Sequence, residues 1–121
     1  MKSDKPSANN NLGLSYFEKG DFDEALKHYT KAINIDKTSV HFSNRGLAHY
    51  HIGKLDEAEK DFNSALDKDP NDPHTFFNRG NVYLNMEVRQ YELAHRDYDT
   101  AISLAPNNAK FWHSKGLAFQ Q

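Results

Sequence analysis

The chain contains no cysteine in its 121 residues. That excludes disulfides, thiolate metal sites and thiol catalysis together. An excess of either charge is also lacking: 15 basic against 17 acidic residues leave a formal charge of −2. There is thus no general basic field for nucleic acid and no polybasic run for an anionic lipid surface. No apolar run approaches the length of a membrane span. The opening residues, Met1-Lys2-Ser3-Asp4-Lys5-Pro6, lack the apolar core of a secretory signal, and no Asn-x-Ser/Thr sequon occurs. A cytoplasmic protein is the expectation. Neither a Gly-rich phosphate loop nor a nucleophile motif is present, so no enzymatic activity and no cofactor are expected. Seven histidines raise the question of a metal. His49 and His51 stand two apart, which on a helix points them in different directions, and no cysteine assists them. Packing or surface histidine is the expected role, with no metal site.

What is present is a repeat. Asn44-Arg45-Gly46-Leu47-Ala48-His49-Tyr50 returns 34 residues later as Asn78-Arg79-Gly80-Asn81-Val82-Tyr83-Leu84. The downstream landmarks echo as well. Ala58, Phe62, Ala65 and Pro70 follow Gly46; Ala94, Tyr98, Ala101 and Pro106 follow Gly80. Upstream the series reads Gly13, Tyr16, Ala25, Tyr29 and Ala32. The glycines are spaced by 33 (13 to 46), 34 (46 to 80) and 36 (80 to 116) residues. A period in the thirties means stacked supersecondary units that share a continuous core.

Each unit reads as two helices. Leu12, Gly13 and Tyr16 share one face of a helix from Ser7 to about Lys19. Gly20 breaks it, and Asp21 is placed to cap a second helix over Phe22–Ile35. In that helix Phe22, Ala25, Leu26, Tyr29, Ala32 and Ile33 form a buried stripe, the alanines admitting a close neighbour. The second unit places helices near Val40–Ile52 and Leu55–Lys68, and the third from Pro73 to about Met86 and near Tyr91–Leu104. In the third unit Glu87-Val88-Arg89-Gln90 replaces the glycine turn with two extra residues, so that turn is expected to be longer and to protrude. A further first helix starts at Ala109, with Trp112, Gly116 and Phe119. The boundaries read as a disordered lead-in over 1–5, units over 6–38, 39–72 and 73–108, and a terminal helix over 109–121. The acidic residues are read as lying on solvated helix faces.

These landmarks resemble the tetratricopeptide repeat (TPR), a helix–turn–helix of 34 residues carrying Trp-x2-Leu-Gly-x2-Tyr, then Ala-x3-Phe, then Pro. The resemblance covers residues 6 to 121. Departures are His49 for the aromatic, Lys37 for the proline, and Arg45, Arg79 and Lys115 for the leucine before glycine. It implies an all-α fold, a right-handed α-α superhelix of about seven antiparallel helices, and a non-catalytic scaffold or adaptor. In that family the first helices line a concave groove that takes an extended peptide or helix of a partner.

On that implication the groove residues are Asn11, Leu14, Phe17, Asn44, Leu47, Tyr50, Phe77, Asn78, Asn81, Lys110 and Ser114. Asn11, Asn44 and Asn78 each precede their glycine by two, and Ser114 holds the fourth place. An asparagine amide both donates and accepts, so such a ladder could pair with any peptide backbone. The alternative is that these amides bond between neighbouring repeats. Phe17, Tyr50 and Phe77 read as apolar anchors or as packing against the next first helix. The family's carboxylate clamp for a chaperone tail needs cations. From the first unit its places hold Asn10, Leu14, Asn44, His74 and Asn78; from the second, Ser43, Leu47, Asn78, Lys110 and Ser114. The clamp is disfavoured. A structural role in a larger protein, with homo-association through the terminal helix, is the alternative function, and excision from a longer array is the favoured origin of the unfinished fourth unit.

Overall fold

A computed structural model describes residues 6–86 and 89–118, and the lead-in, Glu87, Val88 and Phe119 lie outside them. Seven helices run through the described residues: α1 (Pro6–Glu18), α2 (Phe22–Ile35), α3 (Ser39–His51), α4 (Leu55–Lys68), α5 (Pro73–Asn85), α6 (Tyr91–Leu104) and α7 (Ala109–Ala118). The chain divides between Asp69 and Pro70 into two compact units, α1–α4 and α5–α7.

Local chemistry sets the helix starts. The Asp21 carboxylate accepts from the Glu24 N–H at 3.4 Å, and Asp23 and Glu24 sit in the positive first turn of α2. Thr38 caps α3 through the His41 N–H at 3.3 Å. Asp72 accepts from the His74 N–H at 3.0 Å and the Thr75 hydroxyl at 2.9 Å, with Pro73 preset for the first turn of α5.

The turns inside the first two helix pairs share one geometry. Gly20 and Gly53 have φ of 84° and 86°, the left-handed region that costs an L side chain about 1–2 kcal/mol. The next residue's amide then reaches back: Asp21 N–H to Tyr16 C=O at 2.9 Å, and Lys54 N–H to His49 C=O at 2.9 Å. In the third pair Gln90 N–H makes the equivalent bond to Tyr83 C=O at 3.1 Å, across a separation of seven residues instead of five. The same closure therefore spans turns of two lengths.

Each first-helix glycine receives an aromatic ring from its partner helix. A Cβ at Gly13 would lie 2.5 Å from the Tyr29 ring, at Gly46 2.9 Å from Phe62, and at Gly80 2.9 Å from Tyr98. Ala25, Ala58, Ala94 and Ala101 are fully buried beside these rings and let the helices approach. In the second unit Phe77, Tyr83, Tyr98, Ile102 and Phe111 complete the core.

Candidate peptide-binding faces

In the unit formed by α1–α4, α1 and α3 carry the candidate residues. Asn44 Nδ2 donates to Asn10 Oδ1 at 2.9 Å, so the two helices are tied by an amide pair. The partner is Asn10, one residue before the ladder position. Asn11 is exposed, and Leu14, one turn further on the same helix, is 37% exposed. Leu47 is half-buried. Phe17 is drawn into a cluster of rings, 5.1 Å from Phe22 and 5.3 Å from His51, and Tyr50 meets His51 at 5.5 Å. Both aromatics therefore pack between helices while keeping part of their surface open. His49 and His51 diverge: one turns toward α4, the other toward Phe17 and Phe22.

In the unit formed by α5–α7, two sequence-based assignments are corrected. Phe77 is 4% exposed and belongs to the core, stacked on Phe111 at 4.9 Å and tilted against Tyr98 at 5.7 Å. The cause is α7, whose Phe111 closes over it. Asn81 spends its side-chain oxygen on the Tyr98 hydroxyl, because a buried phenol needs an acceptor. Asn78 and Ser114 are half-buried, and Lys110 is exposed with its ammonium 5.2 Å above the Phe77 ring. His74 lies edge-on to Phe111 at 5.4 Å. The candidate set thus separates into side chains committed to the fold (Asn44, Phe77, Asn81) and side chains with open surface, led by Asn11, Leu14 and Lys110.

Asp61 and Asp97 also depart from the sequence reading, which put the acidic residues on solvated faces. Both carboxylates are buried. Arg45 donates to Asp61 through Nε at 2.8 Å and Nη2 at 2.8 Å, and Arg79 to Asp97 at 2.8 and 2.9 Å. The fork matches the carboxylate at two points, the strong form of an ion pair. It also holds Arg45 charged, Asp61 pushing its pKa up against the effect of burial. Arg45 Nη1 reaches on to the Thr30 hydroxyl at 3.3 Å, tying α3 to α2 as well. His49 Nε2 lies 3.6 Å from the same Asp61 carboxylate, and burial outweighs that attraction and lowers the imidazole's pKa. A signal was in the sequence: an arginine before each glycine and an aspartate before each partner aromatic.

Comparisons with known proteins agree with this geometry. Two family models match, "Tetratricopeptide repeat" over residues 6–39 and "TPR repeat" over residues 46–87. The chain belongs to the tetratricopeptide repeat family, and its fold is the all-α fold of that family. It is similar to the first TPR of Spaghetti (RPAP3), solved bound to the HSP90 peptide SRMEEVD, at 28% identity and a TM-score of 0.90, over 98% of this chain and 93% of that one. The first TPR domain of the human RPAP3 protein is similar at 28% identity and a TM-score of 0.88, over 95% and 90% of the two chains. The second TPR domain of human RPAP3, in complex with the HSP70 peptide SGPTIEEVD, is similar at 25% identity and a TM-score of 0.84, over 96% and 99%. No curated protein matches the chain. Among the described residues no helix is long and apolar enough to cross a membrane.

Proposed function

We propose that the chain is a non-catalytic cytoplasmic protein-interaction module that holds an extended peptide of a partner on its first-helix faces. The observation that carries this reading is that α1 leaves Asn11 and Leu14 open on one face, an amide beside an apolar side chain, while its opposite face packs on α2. Such a pair gives a peptide backbone a donor and an acceptor and gives one of its side chains an apolar seat. In the other unit Asn78, Lys110 and Ser114 offer the corresponding groups. Similar domains with bound peptides support the same use of the fold.

The peptides named for those relatives end in Glu-Glu-Val-Asp. A tail of that kind needs facing cations. Here the corresponding places hold Leu14, Asn44, His74 and Asn78, or Leu47, Asn78, Lys110 and Ser114, with Lys110 the single cation. A chaperone tail is therefore disfavoured, and backbone-directed binding through amides is the better fit.

The test is an unbiased peptide-display selection on the purified chain beside an Asn11→Ala/Asn78→Ala variant. Asn44→Ala is assayed separately, because Asn44 is bonded to Asn10. A shared motif that the double variant loses, with helicity unchanged by circular dichroism, supports the reading. Enrichment indifferent to both asparagines, or none at all, would sink it.

A further inference from the structure

The three first helices α1, α3 and α5 differ from α7 in one respect that concerns packing. At Gly13, Gly46 and Gly80 a Cβ would strike an aromatic ring of the partner helix, whereas at Gly116 it would meet nothing within 4 Å. One turn before it, Trp112 is 53% exposed, although Phe42 and Phe76 in the equivalent places lie under Arg45 and Arg79 at 5.9 and 5.6 Å. Trp112 is held by its indole N–H, which donates to the Pro106 carbonyl at 2.9 Å.

Lys115 completes the parallel. It precedes Gly116 as Arg45 precedes Gly46 and Arg79 precedes Gly80. Arg45 bonds two helices: Thr30 on α2, one residue after Tyr29, and Asp61 on its own partner α4. Lys115 bonds Asp99 on α6, one residue after Tyr98, and among the described residues it has no counterpart of Asp61. An ammonium has three donors, so two remain for an incoming acid. Asp99 also lines an open hollow of about 490 Å³ on α6, together with Glu92, His95 and Arg96. The hollow therefore adjoins the open face of α7 through the Lys115–Asp99 pair.

We propose that this face, Trp112, Lys115 and Gly116 with the adjoining hollow on α6, docks an amphipathic helix of a second polypeptide. Its surface lies on the far side of α7 from the peptide-holding residues, so the inference goes beyond the reading above. The chain itself specifies the occupant's chemistry. The helices that cover Gly46 and Gly80 read Ala58-x2-Asp61-Phe62-x2-Ala65 and Ala94-x2-Asp97-Tyr98-x2-Ala101. The occupant accordingly carries two alanines that allow close approach, an aromatic ring seated on Gly116, and a carboxylate beside it for Lys115. Each property answers something left open here: bare glycine, exposed indole, spare N–H donors.

The test uses a fluorescein-labelled synthetic peptide with the α4 sequence, Leu55 to Lys68, titrated with the chain and followed by anisotropy. Saturable binding is expected, weakened about tenfold or more by Gly116→Phe, the loss typical of blocking an aromatic anchor's seat. Phe62→Ala in the peptide should weaken it to a similar degree. Because a side chain at Gly116 meets nothing, Gly116→Phe should keep the helicity and melting temperature of the parent. Absence of saturable binding, or equal binding by Gly116→Phe, overturns the proposal. Light scattering gives the third outcome: a concentration-dependent dimer abolished by Gly116→Phe would assign the face to a second copy of the chain and overturn the heterologous helix.

Discussion

The α3–α4 pair and the α5–α6 pair solve one packing problem with turns of different length. Both join an arginine–glycine step to an aspartate–aromatic step, and both ion pairs close at 2.8–2.9 Å. Yet the paired residues are 16 apart in the first case and 18 in the second. The two added residues are absorbed between the ends of the Tyr83–Gln90 hydrogen bond, which matches His49–Lys54. Helix register is thus fixed by four side chains and one amide, and the connecting loop is free to vary. The α1–α2 pair sharpens the point. It has Leu12 and His28 where the others have arginine and aspartate, and His28 stacks on Tyr16 at 5.4 Å. The glycine–aromatic contact is common to all three, and the ion pair is an addition to it.

Removing one member of the ion pair should have the largest effect. Asp61→Ala or Asp97→Ala leaves a mostly buried guanidinium unpaired and should cost about 3 kcal/mol in urea unfolding. Replacing both Arg45 and Asp61 by leucine should return most of that, since an apolar pair needs no compensation. If the double variant is as unstable as the single, the ion pair is more than an addition. Next in size, Gly46→Ala and Gly80→Ala should each cost about 1–2 kcal/mol, overpacking against the ring outweighing the gain in helix propensity. Gly116→Ala should lose nothing and gain up to about 1 kcal/mol. Equal effects at all three glycines would erase the distinction between filled and open faces.

Loop variants test the remaining difference. Deleting Glu87 and Val88 places Arg89 where Gly53 stands, directly before the helix cap, and should cost about 1 kcal/mol for a left-handed arginine. Adding Arg89→Gly to the deletion should restore the parent stability. The smallest effect concerns His49, which faces Asp61 and Arg45, with Glu57 and Lys54 nearby. Its folded pKa is lowered, so neutral His49 contributes stability above the unfolded value of about 6.5, and that contribution is lost as pH falls through the window below it. Melting temperature should therefore decline from pH 7.5 to 5.5. His49→Tyr, which copies Tyr83, should make the decline shallower.

Much of this was legible before any coordinates. The starts at Phe22, Leu55 and Tyr91 follow from capping and apolar period, and the glycine–aromatic spacing gave the helix pairing. Side chains whose partners lie on another helix were harder. Phe77 carries the pattern of a surface anchor, and its burial depends on Phe111, 34 residues away. Asn81 looks free until Tyr98 is placed beside it. Asn44 bonds Asn10 where period alone pointed to Asn11, because the offset between packed helices is a tertiary quantity. The aspartates of the ion pairs were misread for the same reason. Their burial is invisible along their own helix and follows from the arginine opposite.

The Gln90–Tyr83 hydrogen bond has a consequence for how the molecule can be altered. It acts as a clasp at the neck of the turn, so the chain beyond the clasp adds contour length without transmitting strain to α5 or α6. Loop closure grows only logarithmically with length, about 0.6 kcal/mol per doubling. A reporter peptide grafted there would ride on the scaffold as a pendant, leaving the geometry on both sides of the clasp as it stands.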